Sequence, residues 1–428
     1  MVVLKNKKRY DLPREKNRSM SRGSRYKRAE GSILYLVPSG NLTAPYFHRA
    51  NAFIKYLENQ PSFQLIEIGP PNRLGDFFPP AKIMRKPDRL KIVSPFWLNI
   101  PQIDVIDNFL FALLRTLLLN AWTGILTRVF LRGSRFEKLV FYHPQFAFTL
   151  AFLRSERSSV IVYDKADAYP IFYAGAVRRA VAFLDEYNTR RADIVLAASP
   201  ILETLAKRQH ARRTLEVDNG IYLPDFNHSM KRDRDAAVYV GNLTNQRWGV
   251  DLMVRAVPRV VEEFPSFRLR IVGNGPLRPK LHSLSKELGV AEHVHFEGYI
   301  RHEDIGKITC ASQVAVIPYR PWIGFRFATL SLKILEYLAS GTPVVATNVG
   351  PFANLVGLEK LGAVVEPTAE GIASGILSIL RLNKNEWRAM SERTLKIAGN
   401  HDWDSQLSEA FGEVEKVWLS KRKTNTIG

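Results

Sequence analysis

The chain has 428 residues, 46% of them hydrophobic and 11% aromatic, enough for two domains of ordinary size with packed cores. That composition excludes a broadly disordered protein. One cysteine, Cys310, excludes an internal disulfide framework and fits a reducing cytosol, and its neighbours Ile308 and Ala311 mark a buried, inert thiol. The formal net charge of +20 points to an anionic partner.

Much of that charge lies in residues 1–30, where Lys5, Lys7, Lys8, Arg9 and further lysines and arginines face only Asp11, Glu15 and Glu30. With no apolar run long enough for a signal peptide, this stretch reads as a disordered basic arm. Such an arm is drawn to polyanions. An anionic membrane surface is the expected partner here and nucleic acid is not, while a plain solubilising tail is the bland alternative.

From Ser32 the chain alternates apolar runs with helical patterns. Residues 33–37 predict a buried strand, and Tyr46 to Leu57 an amphipathic helix. Further strands are expected at Lys138–Tyr142, Ser159–Tyr163 and Ile194–Ala198, the last followed by a helix over Pro200–Arg208. This rhythm implies a parallel sheet covered on both faces. Phe109 to Leu131 stands apart, almost continuously apolar but carrying Arg115 and Arg128. Each arginine near the centre of a membrane span costs about 2.5–3.5 kcal/mol on insertion scales, so an interfacial helix or a buried core helix is favoured over a span.

Val217-Asp218-Asn219-Gly220 closes the first half, and Lys231 to Asp235 reads as a charged linker. The pattern then restarts, with strands at Ala237–Val240, Arg268–Val272, His293–Phe296 and Val314–Pro318. Helices are expected at Val250–Glu263, Leu277–Leu288, Gly371–Arg381 and Lys384–Ala398, and a closing helix at Asp404–Leu419. The expected division is an arm over 1–30, Rossmann-like domains over 31–228 and 236–399, and a closing helix within 400–421. In such sheets ligands bind beyond the carboxyl ends of the strands, where the Gly-rich turns fall.

Thr329 to Gly350 condenses the candidate chemistry. Ser331 is a predicted N-cap, Lys333 and Glu336 share a polar helix side, and Gly341 and Pro343 end the helix before a buried strand. A helix N-terminus beside a lysine suits a phosphate, and a carboxylate one turn deeper suits sugar hydroxyls. The pattern therefore points to a nucleotide bearing a sugar.

The segments VGNLTNQRWGVDLMVRAV, RIVGNGPLRPKLHSLSKELGVAEHVHFEGYI, VAVIPYR and SLKILEYLASGTPVVATNVG resemble, in order and spacing over about residues 237–400, the C-terminal half of GT-B glycosyltransferases of the family 4 type. Weaker similarity covers YLVPSGN, YDKADAY, ADIVLAASP and VDNGIYLPDF, and Tyr163–Asp167 with Ser331–Lys333 is similar to the subgroup of teichuronic-acid and xanthan transferases. The resemblance implies an α/β fold of two doubly wound Rossmann-like domains facing across a cleft. It implies a nucleotide-diphosphate sugar, of UDP or GDP type, on the C-terminal half and the acceptor on the N-terminal half. Glu336 matches the carboxylate on the donor ribose and Lys333 a lysine on the phosphates. Arg247 falls where the family places a phosphate-binding lysine, in a loop that Trp248 lengthens. Tyr299 lies where backbone groups clamp the base, and Gly241, Asn242, Gly273 and Ser331 complete the donor set.

Departures from the family pattern bear on the chemistry. Ala328 stands where a first glutamate is usual and Asn242 where an arginine is usual, which leaves the transferred sugar open. The family's N-terminal histidine is replaced by Asp164, with Asp167 close behind. A carboxylate there suits general-base removal of the acceptor proton and an inverting displacement, whereas retention is the commoner family outcome. His143 is a further cleft candidate. Each residue also has a plainer reading: Lys333 solvated on a helix face, Glu336 in a stabilising pair, Arg247 a surface charge, Asp164 a loop anchor. No cofactor and no metal site are expected, Asp233 and Asp235 being set aside as linker residues. The expected function is metal-independent transfer of a sugar to a lipid-linked or polysaccharide acceptor, cytoplasmic and peripheral at the inner membrane face. A nucleotide-sugar epimerase, a glycogen-type phosphorylase or a non-catalytic polyanion-binding protein on the same scaffold are the rivals.

Overall fold

The computed structural model describes residues 33–38, 49–60, 63–69, 83–86, 89–93, 110, 114, 118, 121, 125, 136–144, 155–223, 226, 228, 231–322, 324–325 and 329–426. The basic arm and most of the Phe109–Leu131 segment lie outside the described residues. Among those described, no helix is long and apolar enough to cross a membrane.

The first sheet comprises β1 (Ile33–Pro38), β2 (Phe63–Gly69), β3 (Ile83–Lys86), β4 (Arg89–Val93), β5 (Phe136–Phe141), β6 (Ser155–Lys165), β7 (Ile194–Ala197) and β8 (Thr214–Glu216). Their spatial order is β3-β4-β2-β1-β5-β6-β7-β8, parallel except for β3 against β4. Helix α1 (Arg49–Leu57) joins β1 to β2, α2 (Gly175–Arg191) joins β6 to β7, and α3 (Pro200–Arg208) joins β7 to β8. Alternation along β6 separates the two faces. Asp164 meets Arg49 of α1 on one side, while Tyr163 and Lys165 meet Asp185 of α2 on the other.

The second sheet holds β9 (Asp233–Val240), β10 (Arg268–Val272), β11 (Val294–Gly298), β12 (Ser312–Ile317), β13 (Val344–Thr347) and β14 (Gly362–Val365), all parallel, in the order β11-β10-β9-β12-β13-β14. Helices α4 (Val250–Val261) and α5 (Arg278–Glu287) cover one face. Helices α6 (His302–Cys310), α7 (Leu332–Ala339) and α8 (Pro351–Leu358) cover the other, and α9 (Ala369–Leu380) returns to the first. Helix α10 (Lys384–Gly399) packs against α7, and Cys310 is buried. The last helix, α11 (Trp403–Thr426), crosses back to the first sheet, where Trp403 and Phe411 pack on Phe53.

Two expectations are corrected here. Lys231–Asp235 is not simply a linker, because β9 already begins at Asp233, whose carboxylate pairs with Arg268 of β10 at 3.1 Å. A charged run is tolerated at a strand start when a neighbouring strand supplies the counterion. Ser331 does occupy the N-cap position of α7 with extended backbone, but its hydroxyl makes no capping bond. That oxygen is buried without a partner among the described residues.

Candidate donor and acceptor sites

In the second sheet, β9 to β11 are added in one direction and β12 to β14 in the other, so the strand order reverses between β9 and β12. A crevice forms at such a switch point because the loops leaving the two strands diverge. The candidate donor residues gather there. Lys333, in the first turn of α7, extends its Nζ to 3.4 Å from the Tyr239 hydroxyl. The ammonium sits 5.0, 4.9 and 5.2 Å from the ring centroids of Tyr239, Trp248 and Tyr319, contributed by the end of β9, its following loop and the loop after β12. Ring faces attract a cation, so this cradle fixes the charge without neutralising it. The reading of Lys333 as a solvated surface residue is thereby corrected.

Gly241 and Gly273 keep the strand ends open. A Cβ on Gly241 would stand 2.3 Å from Lys333 Nζ, and one on Gly273, at φ +136°, would stand 1.8 Å from the Gly241 carbonyl oxygen. Val240 N–H donates to the Tyr337 hydroxyl at 2.8 Å, pinning α7 to β9. Asn242 presents its carbonyl to the Tyr239 hydroxyl at 3.3 Å. Arg247 lies between two indoles, its guanidinium carbon 4.8 Å from the Trp248 centroid and 4.5 Å from that of Trp322. Its buried Nε has no partner among the described residues. Tyr299, half exposed, follows the end of β11.

Glu336 is buried one turn below Lys333. Burial pushes its carboxyl up to about 8, with the Lys333 ammonium acting in the opposite sense. His302, the first residue of α6, places Nδ1 at 3.3 Å from Glu336 Oε1. Lys333 and Glu336 are thus together, and neither lies on a polar helix face.

In the first sheet the order reverses between β1 and β5, and His143 follows β5 at that point. Its ring packs edge-on to Tyr169 at 4.7 Å, and burial lowers it to about 4, so it is neutral at ordinary pH. Asp164 is fully buried, with Oδ1 accepting from Arg49 Nε at 2.9 Å. Arg49 also donates to the carbonyls of Val217 at 2.6 Å and Asp218 at 3.1 Å. This corrects the view of Asp164 as a free cleft-edge base, because burial raises its carboxyl against the opposing pull of Arg49 and the guanidinium holds its Oδ1. Asp167 is partly exposed, and burial holds it up to about 7. Asp218 is likewise raised by burial to about 7. Arg49 Nη2, Asp164 Oδ2 and the Tyr35 hydroxyl are buried and unpartnered among the described residues.

The two sides touch. Asn219 Nδ2 donates to Thr329 Oγ1 at 2.9 Å and to the Leu330 carbonyl at 2.8 Å, just before α7, and the rings of Phe172 and Trp322 are 6.3 Å apart. Sequence reasoning missed Arg49, Asp218, His302 and the aromatic cradle. Trp248 and Tyr319 stood inside the quoted segments, but no local pattern foretold that they converge. Among the described residues, no three or more His, Cys, Asp or Glu side chains gather as a metal-holding group.

Residues 234–382 match the family model described as glycosyl transferases group 1. The chain is 32% identical over 151 residues to an uncharacterized glycosyltransferase of Methanocaldococcus jannaschii, covering 35% of this chain and 36% of that protein. It is 30% identical over 194 residues to a GDP-mannose-dependent alpha-(1-6)-phosphatidylinositol monomannoside mannosyltransferase of Mycolicibacterium smegmatis, covering 44% and 49%. The matches therefore span less than half of either relative. In structure the chain is similar to sucrose-phosphate synthase from Thermosynechococcus elongatus, with a TM-score of 0.65, 18% identity, and coverage of 91% of this chain and 100% of that one. The two parallel-sheet Rossmann-like halves are those of the GT-B fold.

Proposed function

We propose that the protein is a glycosyltransferase that moves a hexose from a nucleotide-diphosphate sugar to a lipid-linked or polysaccharide acceptor. The observation that carries this reading is the pairing of Lys333 and Glu336 at the β9–β12 switch point, with the first into an aromatic cradle and the second buried below it. The donor lies on residues 236–399 and the acceptor on 31–228, with 400–421 packing on the acceptor side.

The chemistry follows from charge. As the bond from the anomeric carbon to the diphosphate oxygen breaks, negative charge grows on the leaving phosphate. Lys333, Arg247 and the uncapped N-terminus of α7 meet that charge with groups already in place. Glu336 accepts from the ribose hydroxyls, and Gly241, Asn242, Gly273, Tyr299 and Ser331 line the approach. The acceptor oxygen attacks the anomeric carbon, and Asp167, raised to about 7, takes its proton. Arg49 holds Asp164 in place beside that base. The Tyr163–Asp167 and Ser331–Lys333 motifs support the teichuronic-acid and xanthan type. The reaction needs no metal in this scheme, since the cations are side chains. The basic residues of 1–30 support a location at the cytoplasmic face of a membrane, which a lipid-linked acceptor would require.

Incubation with a panel of UDP- and GDP-sugars tests the reading. Nucleotide release that depends on an added acceptor supports it. Sugar interconversion without nucleotide release contradicts it, as does the absence of any turnover.

A further inference from the structure

Helix α6 follows β11 through the connection Tyr299-Ile300-Arg301, which carries the candidate base clamp. The first residue of α6, His302, is where that connection meets α7. Its side chain is 26% exposed, and its Nδ1 stands 3.3 Å from Oε1 of Glu336, whose side chain is 6% exposed. A ring nitrogen and a carboxyl oxygen that close can share a proton, supplied from either side.

The other polar groups around that carboxyl are engaged elsewhere. Lys333 Nζ is committed to the Tyr239 hydroxyl and the three rings of its cradle. The Tyr337 hydroxyl accepts from Val240 N–H. Beside His302, Arg301 pairs with Glu303 and Asp304, and Asp304 also pairs with Lys307. Burial favours the protonated carboxyl, which can present either a donor or an acceptor to a ligand. A histidine on one oxygen removes that ambiguity. With Oε1 taken, Oε2 keeps its lone pairs for hydroxyl donors.

We infer that His302 is a positioning residue for nucleotide binding: it holds Glu336 Oε1 so that Oε2 accepts from the ribose hydroxyls. The same contact ties the loop that carries Tyr299 to the floor of the ribose site. The inference rests on the ribose reading of Glu336 in the proposed function. It concerns the ribose alone, so a nucleotide without those hydroxyls gains nothing from His302.

Calorimetric titration of the full-length chain with UDP, GDP and their 2′,3′-dideoxy counterparts tests it. The parent is expected to favour the ribose form of whichever nucleotide it binds. In His302→Ala that preference is expected to fall about fivefold or more, while affinity for the dideoxy form stays within about twofold. His302→Phe keeps the ring volume without its nitrogens and is expected to behave as His302→Ala does. His302→Asn returns an amide near the Nδ1 position and is expected to restore most of the preference. Equal weakening of both forms in His302→Ala and His302→Phe marks a purely structural role. That result, an unchanged preference, or a preference lost as fully in His302→Asn as in His302→Ala overturns the inference and leaves Glu336 in place. A parent that does not distinguish ribose from dideoxyribose, or that binds neither nucleotide, overturns the ribose reading of Glu336 and the inference with it.

Discussion

Lys333 and Gly241 occupy adjoining space that only a residue without a side chain leaves free, since a Cβ at position 241 would stand 2.3 Å from the lysine Nζ. The obstructed atom is the end of a flexible side chain, so Gly241→Ala is expected to displace the ammonium rather than the fold. Loss of one charge-assisted contact is worth about 1.5–3 kcal/mol, or about tenfold or more in nucleotide affinity. Calorimetric titration checks this, and an unchanged affinity with an intact fold removes Lys333 from the site.

Glu336 gives a pH signature. Its carboxyl stands at about 8 in the fold against an ordinary value near 4.5, so the fold holds a proton that the unfolded chain releases. Its contribution to stability is therefore fully present below about pH 4.5 and is lost as pH rises through about 8. Ionised Glu336 is the better acceptor for ribose hydroxyls, so nucleotide affinity is expected to rise over the same upper range. Glu336→Gln is expected to flatten both trends. Parallel slopes in the variant and the parent, by thermal melts and titration, contradict the assignment.

Arg49 and Asp164 form a buried pair, and breaking such a pair by removing one partner costs about 3–5 kcal/mol. Arg49→Met is expected to destabilise the protein by about that amount, increasingly above the ordinary carboxylate range, where the unfolded chain releases the proton that buried Asp164, raised further without Arg49, retains. Arg49→Met with Asp164→Leu is expected to recover much of the loss. Urea unfolding of the three proteins measures it, and a single variant within about 1 kcal/mol of the parent contradicts the pairing's importance.

Asp167, held up to about 7, is expected to take the acceptor proton only when ionised, so transfer rises with pH through about 7. Asp167→Asn is expected to slow transfer about a hundredfold or more while nucleotide binding is kept. Retained transfer in that variant assigns the proton to the departing phosphate oxygen instead.

The sequence was most legible where an apolar run ends in a Gly-rich turn or a helical pattern follows a cap residue. Arg268–Val272 and Pro200–Arg208 fall where their patterns put them. It was least legible where charge masks a strand, as at Asp233, and the strand Gly362–Val365 and the helix His302–Cys310 were not read. The functional pair was visible because Lys333 and Glu336 are three residues apart on one helix. Arg49 was not, because its partners Asp164 and Val217 lie more than a hundred positions away and meet it only through sheet order. The cradle of Tyr239, Trp248 and Tyr319 was hidden for the same reason, assembled from loops on either side of a switch point.

The most direct test of the donor site is titration of UDP and GDP into the parent protein, Lys333→Ala and Glu336→Ala, with folding checked by circular dichroism. The expected result is saturable binding of at least one nucleotide by the parent and about tenfold or greater weakening in each variant. Failure of the parent to bind either nucleotide, or equal affinity in all three proteins, contradicts the account.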